Sequence, residues 1–152
     1  MIIISAMSED RVIGSGEGMP WNVPEEYERY LETVAGQTVI MGRRSWNIFG
    51  NDLSDTDNIV LTRRSLIDGA RTATSLDQAL KMAEESERMV FVAGGSSVYQ
   101  QAMSVADEMY LSTIKGNFVG DSFFPNFDQS DWDVVREIDY DSYIFRHYSR
   151  VV

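Results

Sequence analysis

Short apolar runs recur along the chain and are separated by segments with helical spacing. These runs occupy residues 2–7, 39–41, 59–61, 89–93 and 109–114, and their length is typical of strands buried on both faces of a sheet. Two later segments, residues 132–138 and 143–148, alternate apolar and polar side chains as half-buried antiparallel strands do. The pattern therefore predicts a central sheet that ends in an antiparallel pair.

Helices are predicted between these runs. One begins at Pro24, has carboxylates in its first turn, and carries apolar residues at helical spacing. Ser75 and Gln78 form the pattern of a capping box, and residues 97–106 are a further helical segment. Because strands alternate with helices, we predict an α/β fold: a three-layer sandwich with a mostly parallel central sheet and an antiparallel C-terminal edge pair.

The composition excludes several classes of protein. The chain has 152 residues, the size of one domain, and we expect residues 1–152 to form a single domain. It contains no cysteine and one histidine, which excludes thiolate metal sites and thiol catalysis, and no metal is expected. The net charge of −11 argues against binding to nucleic acids or anionic membranes. No apolar run approaches the roughly 18 residues of a membrane helix or resembles a signal peptide, so we expect a cytoplasmic protein, and a monomer.

A pair of glycines follows the clearest central strand. In Ala93-Gly94-Gly95-Ser96-Ser97-Val98-Tyr99 the pair lies between that strand and a helix start, where bare backbone lets a ligand approach closely. The free N–H groups of a helix start bind anions, so the motif predicts a diphosphate site. Taken alone, such a pair more often makes an ordinary tight turn.

Arginines follow two further strands of this acidic chain. Gly42-Arg43-Arg44-Ser45 comes after one strand, and Thr62-Arg63-Arg64 comes after the other. The carboxyl ends of parallel strands meet at one edge of a sheet, and ligands bind in the crevice there. We therefore predict a site for a phosphorylated nucleotide at this edge, although a pair of solvated arginines is an equal explanation of Arg43 and Arg44 taken alone.

A carboxylate and several aromatic residues come together in Gly18-Met19-Pro20-Trp21-Asn22-Val23-Pro24-Glu25-Glu26-Tyr27. Glu26 borders the apolar stripe of the predicted helix. Burial there would raise its pKa, as proton-donating sites require. An exposed carboxylate in the first turn of a helix is the alternative interpretation.

In order and spacing, these motifs together resemble the dihydrofolate reductase family over the whole chain. Asp10-Arg11-Val12-Ile13-Gly14 is similar to the family's first strand-to-loop segment, and Met19-Pro20-Trp21-Asn22 to its mobile active-site loop. Val39-Ile40-Met41-Gly42-Arg43 and Gly94-Gly95 with Val98-Tyr99 are similar to its two cofactor loops. Gly120-Asp121 with Phe124-Pro125 matches a later segment.

The resemblance implies a reaction and a set of site residues. The reaction is NADPH-dependent reduction of 7,8-dihydrofolate to 5,6,7,8-tetrahydrofolate by hydride transfer to the pterin ring. Glu26 would bind the 2-amino group and N3 of the pterin and support protonation of N5, Ser112 would steady Glu26, and Trp21 would help order a water. The implied substrate pocket consists of Ile4, Ala6, Tyr27, Tyr30, Ile48 and Leu53. The implied cofactor-binding residues are Ala6, Ile13, Gly42, Arg43, Arg44, Ser45, Thr62, Arg63, Ala93, Gly94, Gly95, Ser96, Ser97, Val98 and Tyr99, with a cis peptide bond between Gly94 and Gly95.

The chain departs from the family pattern where the glutamate tail of the substrate would bind. A nearly invariant arginine of the family aligns with Thr56, and positions that are often basic are Leu31 and Asn51 here. Acidic residues stand nearby instead, at Asp52, Asp55 and Asp57. We therefore expect the tail to be bound weakly, because a charged bidentate contact is lost. Ala93 and Ser96 also replace a larger aliphatic residue and a glycine.

Two other functions stay open from the sequence. A reductase of the same fold that acts on another pterin or on a riboflavin-pathway pyrimidine is favoured by Thr56, whereas Met19-Pro20-Trp21-Asn22 with Glu26 suits dihydrofolate. A catalytically idle nucleotide-binding module is the second alternative. The presence of both Glu26 and Trp21 argues against it.

Overall fold

An eight-stranded sheet forms the middle layer of the molecule, in a computed structural model that describes residues 1–16, 18–64 and 66–152. The strands are β1 Ile2–Ser8, β2 Val12–Gly14, β3 Thr38–Gly42, β4 Asp57–Leu61, β5 Arg71–Ala73, β6 Val90–Val92, β7 Glu108–Ile114, β8 Ser122–Phe123, β9 Trp132–Asp139 and β10 Tyr143–Arg150. The helices are α1 Pro24–Val34, α2 Arg43–Phe49, α3 Leu76–Ala83 and α4 Ser96–Ala102, and short 3-10 turns cover Gly50–Asp52 and Gln129–Asp131.

The sheet is parallel except at one edge. Its strand order is β5-β4-β3-β6-β1-β7-β10-β9, and β10 runs antiparallel to both of its neighbours. Strands β2 and β8 form a separate two-stranded sheet. The predicted parallel sheet with an antiparallel C-terminal pair is therefore confirmed.

Helices cover both faces of the sheet because successive side chains of a strand point to opposite faces. Ile3, Ile40 and Val92 pack with buried residues of α3 and α4. Their neighbours Ile2, Val39 and Phe91 pack with residues of α1 and α2 on the other side. These two cores make the three-layer sandwich that the sequence predicts.

The helices differ from the prediction mainly at one end. Ser75 caps α3, with its side chain accepting a hydrogen bond from the Gln78 N–H at 3.1 Å. The helix predicted over residues 97–106 ends at Ala102. The guanidinium of Arg150, from β10, binds the carbonyl oxygens of Met103 and Ala106, so this part of the chain is held by a distant strand.

The topology brings three loops to one edge of the sheet. Strands β4, β3 and β6 are adjacent and parallel, so the segments after Leu61, Gly42 and Val92 leave the sheet side by side. The Gly42 N–H donates to the Gly94 carbonyl at 2.8 Å and ties two of these segments together.

Among the described residues, no helix has the length and apolar character to cross a membrane.

Candidate active site

A long cleft runs along the carboxyl ends of β3, β4 and β6. Its walls come from the three segments singled out in the sequence, residues 42–45, 61–63 and 95–98, which include the first turns of α2 and α4, with further residues from just before α3. The crevice predicted for a nucleotide is therefore present. Every predicted cofactor residue lines either this cofactor cleft or the pocket beside it.

The cofactor cleft suits a phosphorylated ligand in both charge and shape. Arg43, Arg44 and Arg63 supply positive charge, and guanidinium groups bind phosphate oxygens in pairs. A Cβ on Gly42 would lie 3.3 Å from Cγ2 of Val98, and one on Gly95 would lie 3.3 Å from Oγ of Ser45. The two glycines thus leave room that other residues would fill, and the residues present fit a dinucleotide such as NADPH.

The Gly94–Gly95 segment separates this cleft from the neighbouring pocket. The peptide bond between them is cis, as the resemblance implies, and Gly94 has a φ of +107°. A Cβ on Gly94 would meet the ring of Tyr99 at 3.2–3.3 Å. Tyr99 is fixed in turn, because its hydroxyl donates to the carbonyl of Ile4 at 2.8 Å.

The neighbouring pocket has aromatic walls and one carboxylate. Tyr27 and Tyr30 of α1 face Phe49, Tyr110 and Phe145, and Ile4 and Ala6 of β1 complete the apolar surface. We call this the aromatic pocket; its lining also includes Glu26, Ser112 and Arg29. It shares Ile13, Ser45, Phe49 and Gly95 with the cofactor cleft, so ligands in the two would be in contact.

Glu26 is buried in this pocket, with 7% of its surface exposed. Burial raises the pKa of its carboxyl from 4.5 to about 7, and a hydrogen bond with Ser112 and the charge of Arg29 oppose that rise. Helix α1 places the residue there because Pro24 starts the helix and turns its third position towards the sheet. The carboxyl therefore exchanges a proton near neutral pH.

Trp21 lies beside the aromatic pocket rather than in it. The indole is buried and packs edge-on against Phe118, with ring centroids 5.5 Å apart. It lines a third, outer cleft together with Glu26, Tyr27 and Asp52. The hydroxyl of Tyr27 donates to Asp52 at 2.5 Å across this outer cleft.

Two of the implied substrate residues lie elsewhere. Leu53 is 3% exposed and packs in the core under α1, lining none of the three clefts, because the 3-10 turn before it directs its side chain inwards. Ile48 lines the cofactor cleft and the outer cleft but not the aromatic pocket. Ile4, Ala6, Tyr27 and Tyr30 all line the aromatic pocket.

The acidic residues near Thr56 are also placed differently from what the sequence suggests. Asp57 forms ion pairs with Arg71 at 2.8 Å and Arg88 at 3.9 Å, so its charge is balanced. The hydroxyl of Thr56 donates to Oδ1 of Asn58 at 2.6 Å. Within the part of the chain that the structure describes, Asp52 and Asp55 form no such ion pair.

Several residues of the aromatic pocket were missed from the sequence. Tyr110 and Phe145 could have been predicted from their relation to Ser112. Tyr110 lies two residues before Ser112 on β7, and Phe145, on the neighbouring strand β10, pairs with Ser112. Arg29 lies one helical turn after Glu26 and also lines the pocket, whereas the sequence suggests it only as a group that could bind the substrate tail. No local pattern indicates Phe49, because α2 has no regular apolar stripe.

An open α/β sheet, a basic cleft at its carboxyl edge and an acidic aromatic pocket define a nucleotide-dependent enzyme that acts on a flat, polar ring. Comparison with known proteins narrows this class, since the family model described as dihydrofolate reductase matches residues 1–150. The chain belongs to the dihydrofolate reductase family.

Individual relatives agree with this assignment. A dihydrofolate reductase of Neisseria meningitidis serogroup A is 34% identical over 157 aligned positions, which cover 97% of this chain and 96% of that protein. The Bacillus subtilis enzyme of the same name is 34% identical and covers 87% of this chain and 79% of its own length. A solved structure of dihydrofolate reductase from Enterococcus faecalis, complexed with NADP(H) and RAB-propyl, superposes with a TM-score of 0.91 at 27% identity and covers 99% of this chain and 96% of its own.

Family membership decides between the functions that the sequence left open. Members of the family are NADP-dependent oxidoreductases. These findings favour dihydrofolate reduction over a same-fold reductase with another substrate and over a catalytically idle nucleotide-binding module. The cofactor prediction, NADPH, is confirmed at the level of the family.

Proposed function

We propose that the aromatic pocket binds the pterin ring of 7,8-dihydrofolate and that the cofactor cleft binds NADPH, so that the chain converts dihydrofolate, NADPH and a proton to tetrahydrofolate and NADP⁺. The observation that carries this proposal is the position of Glu26. Its buried carboxyl lies in a slot of aromatic side chains that opens directly into the basic cofactor cleft.

Glu26 can serve the reaction in both of its protonation states. The ionised carboxylate accepts hydrogen bonds from two neighbouring N–H groups, such as the 2-amino group and N3 of a pterin. With a pKa of about 7 it also holds a proton near neutral pH, and that proton supports protonation of N5. Ser112 steadies the carboxylate, and Trp21, buried beside it, helps order water at the edge of the pocket.

The residues of the cofactor cleft bind and orient the dinucleotide. Arg43, Arg44 and Arg63 would hold its phosphate groups, and the glycines at 42 and 95 let the backbone approach it. NADPH, when bound, supplies the hydride. Ala6 and Tyr99 line the aromatic pocket, Ile13 lines both clefts, and the three would keep water from the reacting rings.

A steady-state assay tests the proposed function. Purified protein is mixed with NADPH and either dihydrofolate or the riboflavin-pathway pyrimidine, and the loss of NADPH absorbance is followed. We expect turnover with dihydrofolate and none with the pyrimidine. Turnover with the pyrimidine alone would support the same-fold reductase, and binding of NADPH without turnover of either compound would support the idle module.

We also propose that the enzyme is a cytoplasmic monomer formed by residues 1–152 as one domain, with no nucleic-acid or membrane partner. Strands from both ends of the chain lie in the same sheet, which supports the single domain. The acidic charge of −11 supports the absence of nucleic-acid binding. Light scattering after size-exclusion chromatography tests the monomer directly.

A further inference from the structure

Arg29 is a cation that the proposed chemistry leaves unused, although it lines the aromatic pocket. It lies one turn after Glu26 on α1, so both side chains project from the same side of the helix. Its guanidinium carbon lies 3.8 Å from the centroid of the Phe145 ring, and its Nη1 donates to the hydroxyl of Tyr140 at 2.7 Å. Aromatic groups from β10 and the turn before it therefore fix the position of the charge.

This arginine has no carboxylate in ion-pair contact within the part of the chain that the structure describes. The ion pairs of that part include Arg71, Arg88 and Arg146 but not Arg29. The carboxylate that shares its pocket is Glu26, whose charge it favours. A guanidinium stacked on a ring and held by a neutral hydroxyl keeps its full charge for a neighbour.

We propose that Arg29 is a positioning residue for the reaction: held by Phe145 and Tyr140, its guanidinium supplies the positive field that favours the ionised form of the Glu26 carboxyl inside the aromatic pocket. This inference rests on the proposed role of Glu26. It extends that role, because burial alone would leave the carboxyl protonated at neutral pH and unable to accept two hydrogen bonds from the substrate.

Among the described residues, the other groups around Glu26 do not supply a positive charge. Those that face it or share its clefts are the Ser112 hydroxyl, neutral phenols on four elements and the carboxylates of Glu25, Glu28 and Asp52. The phenols belong to Tyr27, Tyr30, Tyr99, Tyr110 and Tyr143, and burial raises the pKa of each of them. Beside the neutral hydrogen bond from Ser112, Arg29 is therefore the charge that favours the ionised form of Glu26, and its removal should raise the pKa of that carboxyl.

The test is a direct titration of the Glu26 carboxyl by ¹³C NMR in the NADPH-bound protein, with Glu26→Gln to assign its signal. Arg29→Met and Arg29→Gln should each raise the midpoint by about one pH unit, since a partly desolvated charge is lost. Arg29→Lys keeps the charge and should leave the midpoint within about 0.3 pH unit of the wild type. Two neutral variants are used so that, if one of them fails to fold, the titration of Glu26 in the other still tests the inference.

Arg146→Met is the matched control. Arg146 neighbours Phe145 on β10, pairs with Glu137 at 2.6 Å and lines none of the three clefts, so its loss removes one charge without touching the pocket. The titration of Glu26 should be unchanged in this control. An unchanged midpoint in both neutral Arg29 variants, or an equal rise in Arg29→Lys, would overturn the inference.

The pH profile of kcat/KM for dihydrofolate provides the second readout. In Arg29→Met its midpoint should move up together with the NMR titration, and Tyr140→Phe should give a smaller rise because the guanidinium loses one of its holds. The titration does not need turnover. A shifted carboxyl with an unshifted rate profile would therefore count against the proposed role of Glu26 and not against the field of Arg29.

Discussion

At the scale of single residues, the buried carboxyl of Glu26 makes the stability of the folded protein depend on pH. Its carboxyl has a pKa of about 7 in the folded protein against 4.5 ordinarily, so the folded state binds its proton more tightly. The stability that this proton provides is complete below pH 4.5 and is lost as the pH rises through about 7. At alkaline pH the free energy of unfolding is therefore about 3 kcal/mol lower than it would be if the carboxyl kept its ordinary pKa.

Glu26→Gln should therefore stabilise the ligand-free protein more at pH 8 than at pH 4, because glutamine has no charge to bury. Melting temperatures of the variant and the wild type, compared across this pH range, measure the effect. Glu32→Gln, which changes an exposed carboxylate of the same helix, is the control and should show a nearly constant difference. A difference for Glu26→Gln that is equally constant would contradict the buried, proton-binding carboxyl.

At the scale of elements, the loops after β3 and β4 form the basic wall of the cofactor cleft. Arg43 begins α2 directly after β3, and Arg63 lies in the loop after β4, where a 2′-phosphate would need charged partners. Replacing both by alanine should weaken NADPH binding by tenfold or more and NADH binding much less, at about 1.5–3 kcal/mol for each charged hydrogen bond. Dissociation constants from fluorescence titration give the comparison.

Arg64→Ala serves as the control, since Arg64 neighbours Arg63 but is exposed and lies outside the cleft. It should leave both dissociation constants unchanged. Equal weakening of NADPH and NADH in the double variant would show that these arginines do not read the 2′-phosphate.

We expect the segment after the first 3-10 turn to set how tightly the tail of the substrate binds. Thr56 offers no guanidinium, and its hydroxyl is occupied by Asn58. Asp52 and Asp55 add like charge, which salt screens. We expect Thr56→Arg to lower the KM for dihydrofolate more than it changes kcat, and raised salt to lower the wild-type KM.

Steady-state kinetics at several salt concentrations measure both effects, with Thr56→Met as a size control without charge. The methionine variant should not lower KM. A low wild-type KM that salt does not change and that arginine does not improve would mean that another group binds the tail.

The elements that sequence predicts well here are those buried on both faces. Strands β1, β3, β4, β6 and β7 read as apolar runs because helices cover them on each side. Strands β2, β5 and β8 have only two or three residues and show no alternation to detect. The segment after α4 is held by Arg150, whose contacts with Met103 and Ala106 cross more than forty positions of sequence and leave no local signal.

At the scale of the whole molecule, the site forms where separate segments meet. The cofactor cleft was predictable because parallel strands share a carboxyl edge, so the motifs at Gly42, Thr62 and Gly94 had to converge. The aromatic pocket was less predictable, because Tyr110 reaches it through the pairing of β7 with β1, and Phe145 through the further pairing of β10 with β7. A chain of net charge −11 thereby gathers three arginines at one cleft, which attracts a phosphorylated ligand.

The central claim is that Glu26 supports hydride transfer from NADPH to dihydrofolate in this pocket. The most direct test is single-turnover transfer, followed by stopped flow at neutral pH with saturating ligands, in the wild type and Glu26→Gln. The account predicts that the variant binds NADPH as the wild type does but transfers hydride about 10²–10⁴-fold more slowly. A loss of less than about threefold, well below what acid–base assistance contributes, would contradict it.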